Sequence, residues 1–199
     1  MKTIFDRGHF HKYSIQERYF SAVENRTRIL LEGCQTSAKT TVFLSHKHDD
    51  LEDLKDLIGF LENEFDVETY IDSMDKNMPS KTCGETATRI KHIIKSCDKF
   101  ILLATDRAVE SKWCNWELGF GDAHKFRQNI AILPVKESGV SEKDYKGHEY
   151  MSIYPLILYY DGTEQYTDGR TVPKGYYYGY LNEEGVRVIT PLVDWLKRR

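Results

Sequence analysis

The run Ser111-Lys112-Trp113-Cys114-Asn115-Trp116-Glu117-Leu118-Gly119 places a carboxylate four residues after a tryptophan. Positions four apart share one face of a helix, so Trp113 and Glu117 would present a flat aromatic surface and an anion to the same ligand. Ser111 has the side chain of an N-cap, which sets Glu117 in the second turn, at the rim of a crevice rather than deep in a core. Trp116 is expected to point elsewhere, inward. A lone carboxylate beside an aromatic plate suits chemistry on a nucleotide, in which a ring stacks and a sugar develops charge. The ordinary alternative is a helix whose tryptophans fill a core and whose glutamate faces water.

Such a pair needs a scaffold, and the composition says which kinds are open. With 199 residues, 40% of them hydrophobic, the chain can bury the core of one sizeable α/β domain with extensions. A net charge of −3 provides no basic field to gather a phosphate backbone, so no nucleic acid is expected as partner. No stretch reaches the roughly 18 apolar residues of a membrane span. The opening Met1-Lys2-Thr3-Ile4-Phe5-Asp6 lacks the apolar run of a secretory signal, and a cytoplasmic location is expected. Cys34, Cys83, Cys97 and Cys114 have no metal-ligand spacing and read as free thiols.

From Thr40 onward short apolar runs alternate with amphipathic segments, the pattern of repeated βα units. Val42-Phe43-Leu44, Val67 to Ile71, Phe100 to Ala104, Ile130 to Val135 and Pro155 to Tyr160 are β-branched or aromatic and nearly continuous, as strands covered on both faces are. They predict a five-stranded parallel sheet. Leu51, Leu54, Leu57, Ile58, Leu61 and Phe65 recur at helical spacing, as do Ala87, Ile90, Ile94 and Cys97. Thr82-Cys83-Gly84-Glu85 fits a capping box for the second of these helices, leaving Ser73 to Lys81 as a loop. A weaker connection runs through Ser141-Glu142-Lys143-Asp144. In open α/β sheets ligands bind beyond the carboxyl ends of the strands, where this chain is polar: Ser45-His46-Lys47-His48-Asp49-Asp50, then Asp72-Ser73, then Thr105-Asp106-Arg107. Ser45, His46, Asp72 and Thr105 join Trp113 as candidate substrate contacts around Glu117 as the candidate catalytic residue. Polar strand ends are also ordinary turn chemistry.

Thr41-Val42-Phe43-Leu44-Ser45-His46, the strand end Tyr70-Ile71-Asp72 with its following loop, and the Ser-x-Trp-Cys-x-x-Glu-Leu pattern from Ser111 to Leu118 occur in that order. Together they resemble the TIR domain, above all its bacterial members, over residues 40–160. The resemblance implies a flavodoxin-like sheet and, in many members, cleavage of the bond between nicotinamide and ribose in NAD+. It implies that Glu117 is catalytic, that Trp113 lines the nicotinamide and ribose site, and that the loop Ser73 to Lys81 closes over it, often from a neighbouring protomer. NAD+ would then be substrate, with no cofactor or metal required. The size is similar to that of the sensor of Thoeris-type anti-phage systems, which makes a nucleotide signal for a separate effector protein. Other TIR protomers are the expected partners for activity. A scaffold that acts only by TIR–TIR assembly is the competing class, and a nucleoside deoxyribosyltransferase is a third that shares the fold and a glutamate.

One carboxylate can suffice for this reaction. Nicotinamide in NAD+ is already cationic and leaves as a neutral molecule, so it needs no general acid, unlike the oxygen of a glycoside. What remains is to stabilise the positive ribose ring of the transition state, which a fixed anion does.

Other patterns carry less. Gly33 to Thr40 nearly spells a phosphate-binding loop, but it follows a helix and enters a strand, the reverse of the required order. His46, His48, Asp49 and Asp50 suggest metal ligands, yet no distant partner is indicated, and Asp49 or Asp50 has a simpler use as a helix cap. Ser45 beside His46 lacks an orienting acid and the elbow glycines of a serine hydrolase.

The ends extend the domain. We divide the chain into an N-terminal helical extension (1–39), a TIR-like domain (40–160) and a Tyr-rich insertion with a terminal helix (161–199). The first helix spans 14–32, opens with the capping box Ser14 to Glu17 and packs on the sheet edge or a partner. Eight of thirteen tyrosines fall between Tyr154 and Tyr180, with Asp161-Gly162 and Asp168-Gly169 as turn signals, so a hairpin of half-buried strands is expected there. Thr190-Pro191 reads as a cap and first helical residue, with Leu192, Val193 and Trp195 or Leu196 buried behind it.

Overall fold

Successive side chains of a strand face opposite sides of its sheet, and apolar residues at every position therefore demand cover on both faces. The computed structural model, which describes residues 1–31, 37–72 and 84–198, meets that demand. Strands β1 (Phe5–Asp6), β2 (Thr41–Ser45), β3 (Glu68–Ile71), β4 (Lys99–Thr105), β5 (Ile130–Lys136), β6 (Leu156–Tyr160), β7 (Gly175–Leu181) and β8 (Arg187–Pro191) form one eight-stranded sheet. Its order is β3-β2-β4-β5-β6-β7-β8, with β1 paired to β5.

All five predicted strands are present and mutually parallel, but the sheet is larger and mixed. Two causes account for the difference. The Tyr-rich segment continues the sheet instead of standing off it, because β7 pairs antiparallel with β6 and β8 antiparallel with β7. At the other end of the chain, β1 pairs in parallel with the carboxyl end of β5, Phe5 opposite Val135, while Lys2 bridges Tyr159 of β6. β5 and β6 pair directly only near Ile132 and Leu156, so the N-terminal segment fills the gap between their diverging ends. A two-residue strand has no periodicity to read.

Helices α1 (Glu17–Leu31), α2 (Leu51–Phe65), α3 (Gly84–Ser96), α4 (Asp106–Val109), α5 (Lys112–Lys125), α6 (His148–Ile153) and α7 (Leu192–Lys197) connect and cover the strands. Val42, Leu44, Ile101, Leu103, Ala131 and Leu133 face a layer built with α2 and α7. Phe43, Phe100, Leu102, Ala104, Ile130 and Ile132 face α3, α4 and α5. α1 closes the exposed edge at β3, where Arg26 donates to the Thr69 carbonyl at 2.8 Å and the Thr27 hydroxyl accepts from the Ile71 N–H at 3.3 Å. It begins at Glu17, so Glu17 is its first residue and the Ser14 to Glu17 capping box does not form. Pro191 ends β8 and holds the N-cap position of α7, one place earlier than predicted; Leu192, Trp195 and Leu196 are buried and Val193 only half so. The Ser141 to Asp144 connection is a single 3-10 turn ahead of α6.

From β2 the chain crosses by α2 to β3 on one side, then by α3 to β4 on the other. The strand order therefore reverses between β2 and β4, and the crevice of such a sheet opens at their carboxyl ends. The predicted loop Ser73 to Lys81, the cap Thr82-Cys83 and residues Gly33 to Thr36 fall wholly or partly outside the described residues. Lys39, the lysine of the phosphate-loop look-alike, pairs with Asp66 at 2.5 Å. Cys97 and Cys114 are free and buried; Cys34 and Cys83 lie outside the described residues. No helix among the described residues is long and apolar enough to cross a membrane.

Candidate active site

α5 starts on its predicted cap: the Ser111 hydroxyl accepts from the Cys114 N–H at 3.4 Å. This start aims Glu117 back over the end of β2. There the Ser45 hydroxyl donates to Glu117 Oε2 at 2.5 Å. Glu117 is 1% exposed, and its other oxygen, Oε1, is buried with no hydrogen-bond partner among the described residues. Asp72, the first residue past β3, accepts the indole N–H of Trp113 at 3.2 Å. Four predicted residues, Ser45, Asp72, Trp113 and Glu117, thus converge at the carboxyl ends of β2 and β3 beneath the first turns of α5.

The two carboxyls repel each other in a dry place. Burial, then the neighbouring Asp72, lifts the Glu117 carboxyl well above its usual range, against the smaller pull of Ser45 and Trp113. Burial raises Asp72 to about 6, while the Trp113 hydrogen bond and the positive fields of Arg89 and His48 act the other way. Burial and the neighbouring acid thus favour the neutral form of Glu117, and a cationic group beside Oε1 would favour its ionisation.

The structure corrects three residues. His46 is buried, its Nδ1 at 3.4 Å from the Leu44 carbonyl, and burial lowers it to about 4, so it stays neutral. Its own carbonyl takes the Cys114 thiol at 3.3 Å. These contacts bind it to its own strand and to the α5 backbone, and none reaches the Glu117 carboxyl. Thr105 caps α4 by accepting from the Ala108 N–H at 3.0 Å and donates to Asp50 Oδ2 at 2.5 Å, so its hydroxyl is committed away from the site. Trp116 does not turn inward. It stacks on Trp113 with ring centres 4.7 Å apart and planes 25° from parallel, then on Phe120, with Lys91 of α3 near the Trp116 and Phe120 rings. The stack fixes the Trp113 indole from one side.

Thr105 belongs to a second polar cluster that sequence spacing did not reveal. Asp50 has the N-cap position of α2, but its fully enclosed carboxylate makes no cap there. It binds Arg7 and Thr105, and Arg7 goes on to Asp53 at 2.6 Å and Glu137 at 2.7 Å. The members come from four distant stretches, and a strand-end acid was the only local sign. Among the described residues no group of three His, Cys, Asp or Glu side chains is arranged to hold a metal ion. Arg89 also went unnoticed in the sequence; one of several basic residues on α3, it gives no local hint that its field reaches Asp72.

A family model for the TIR domain matches residues 42–169. The chain belongs to the TIR domain family. The match starts at β2 and ends after β6, and it contains Ser45, Asp72, Trp113 and Glu117; β1, α1, β7, β8 and α7 lie outside it. TIR domains serve as NAD+-cleaving enzymes or as self-associating scaffolds in signal transduction, and the two uses ask different things of the Glu117 pocket. A scaffold has no physical need for an enclosed acid with one unpartnered oxygen, since leaving that oxygen dry costs stability. No curated protein matches the chain.

Proposed function

We propose that this TIR domain cleaves the nicotinamide–ribose bond of NAD+, with Glu117 as the catalytic carboxylate. The observation that carries the reading is Glu117 Oε1, buried without a partner among the described residues while Oε2 is anchored by Ser45. Such an oxygen is preorganised to meet a sugar hydroxyl or a developing cation.

In this scheme the C1′–N bond breaks and its electron pair neutralises the pyridinium, which departs as nicotinamide. The ribose becomes an oxocarbenium-like cation. Glu117, anionic once the cationic substrate is seated, stabilises that state more than the ground state. Trp113, stiffened by Trp116 and tied to Asp72, supplies the flat wall against which a ring is placed. Asp72 keeps the pocket negative enough to attract the pyridinium. Water attacking C1′ and losing a proton gives ADP-ribose; an adenine nitrogen or a ribose hydroxyl of the same nucleotide gives a cyclic isomer. We infer that the product, a cyclic ADP-ribose-type signal or ADP-ribose, serves anti-phage defence, in the cyclic case through a separate nucleotide-sensing effector.

The test is release of nicotinamide from NAD+ by concentrated protein, with products resolved by mass spectrometry. Glu117→Gln keeps shape and the Ser45 contact and is expected to cut the rate by ~10²–10⁴-fold, the range for a positioned catalytic group. Equal rates for Glu117→Gln and wild type would leave the assembly scaffold as the better reading.

A further inference from the structure

At the opposite end of the sheet from Glu117, where β4, β5 and β6 begin, lies a cavity of about 750 Å³ lined by Lys99, Arg127, Asn129, Tyr180, Trp195 and Arg198 among others. Three of these are cations, and none has a carboxylate within ion-pair distance among the described residues. Asp98, whose field acts on Lys99, is itself engaged with the Thr41 N–H at 2.8 Å and the Thr41 hydroxyl at 3.0 Å. Lys99 is 1% exposed, and its ammonium has one hydrogen-bond acceptor, Asn129 Oδ1 at 2.6 Å, with the Trp195 ring 5.1 Å below it. An ammonium has three donors, and among the described residues Asn129 takes one of them, so the others are open to a ligand in the cavity.

Ordinary explanations do not cover this arrangement. Cations near helix C-termini answer the helix dipole, which suits Lys125, whose ammonium donates to the Lys95 and Cys97 carbonyls. Lys99, however, opens a strand and is enclosed, where an unpaired charge is costly. Burial pulls its ammonium down to about 8 against the opposing field of Asp98, and Arg198 and Lys125 add to the fall. The polar atoms of the aromatic walls are already satisfied: the Trp195 N–H donates to the Gln128 carbonyl at 2.7 Å and the Tyr178 hydroxyl to the Arg127 carbonyl at 3.2 Å. What the cavity lacks is an anion.

We propose that this cavity is a second ligand site, for a nucleoside phosphate, with the phosphate held by Lys99, Arg127 and Arg198 and the base against Tyr180. The volume lies within the range of small-molecule pockets. Arg127 already rests its guanidinium 5.9 Å from the Tyr180 ring, so phosphate and base would be gripped by neighbouring groups of one wall. The site is separate from the Glu117 pocket and its assignment does not depend on the reaction performed there. It gives the domain a place to sense a nucleotide from the far end of the sheet.

The test is calorimetric titration of the full chain with AMP and, separately, with inorganic phosphate. AMP is expected to bind, and Arg127→Gln and Arg198→Gln, both at exposed positions that leave the core intact, are expected each to weaken it about tenfold or more, as loss of a charge-assisted hydrogen bond does. Lys99→Met is expected to abolish it, and Glu117→Gln to leave it unchanged. Near pH 8 binding is expected to take up protons, read as a dependence of the apparent heat on the buffer. Failure of AMP to bind at millimolar concentration, or equal affinity in the arginine variants, overturns the site. Loss of AMP binding in Glu117→Gln assigns it to the other pocket and overturns it equally. Phosphate binding as tightly as AMP removes Tyr180 and the base from the proposal.

Discussion

Glu117 is a carboxyl with one oxygen anchored and one unclaimed, set beside a second acid. The consequences are measurable in activity and in stability, and they have opposite signs. In the proposed reaction the anion is the working form, so kcat/KM rises with pH through the raised pKa of Glu117. Asp72→Asn removes a neighbouring negative charge and is expected to move that rise toward lower pH, seen in the pH profile of nicotinamide release; an unmoved profile would mean that Asp72 does not act on Glu117. For stability, both acids are raised on folding, so the folded state keeps protons that the unfolded chain loses. Their contribution is complete below the unfolded values and declines as pH rises through the folded ones, about 6 for Asp72 and well above the ordinary glutamate range for Glu117. Glu117→Gln is therefore expected to raise Tm by about 2–4 °C at pH 7, with the gain vanishing near pH 4, in thermal scans of the two proteins. Ser45, Asp72, Trp113 and Glu117 were readable as a group because each stands at a strand end or in the first turns of one helix. His46 and Thr105 look the same in sequence and are spent on backbone and capping contacts, a distinction that only the third dimension makes.

At the scale of elements, β2 to β6 and α2 are plain in the sequence because an unbroken apolar run or a sustained helical period leaves little choice. Boundaries are less legible. α1 begins three residues after its apparent capping box, since Ser14 is used to end the preceding 3-10 turn. The turn between β7 and β8 went unnoticed because it has no Asn-Gly or Asp-Gly pair; Asn182 accepts from the Glu184 and Val186 N–H groups, and Gly185 takes a φ of +73°. A glycine that reads as a mere weak spot in α2 is in fact required. A Cβ on Gly59 would stand 1.9 Å from the Tyr13 carbonyl oxygen, where the turn at residues 11–13 rests directly on the helix. Gly59→Ala gains helix propensity yet must push that turn away, and we expect a net loss of about 2–4 kcal/mol in urea unfolding, with faster amide exchange at residues 11–13. Asp50→Asn is expected to cost about 3–5 kcal/mol in the same experiment, because it leaves Arg7 without its enclosed counter-charge.

At the scale of the whole molecule, the family match and the sheet have different limits. The matched span covers the strands that hold Ser45, Asp72 and Glu117, while β7 and β8, which complete the sheet at one end, and β1, which pairs with β5, lie outside it. The segment least visible in the sequence, β1, is also the one that joins the most distant parts: Phe5 is fully buried, pairs with Val135 and packs against Phe10 and Tyr176. Phe5→Ala is expected to cost about 3–5 kcal/mol in urea unfolding, a core-sized loss from a two-residue strand. The same strand orders events in the cell. During translation Phe5 is made long before Val135 and Tyr176, so the growing chain carries an apolar hook whose slot does not yet exist. Until the later strands emerge, that hook is available to a chaperone or to a neighbouring nascent chain, and β1 finds its place only after β5 and β7 have been made.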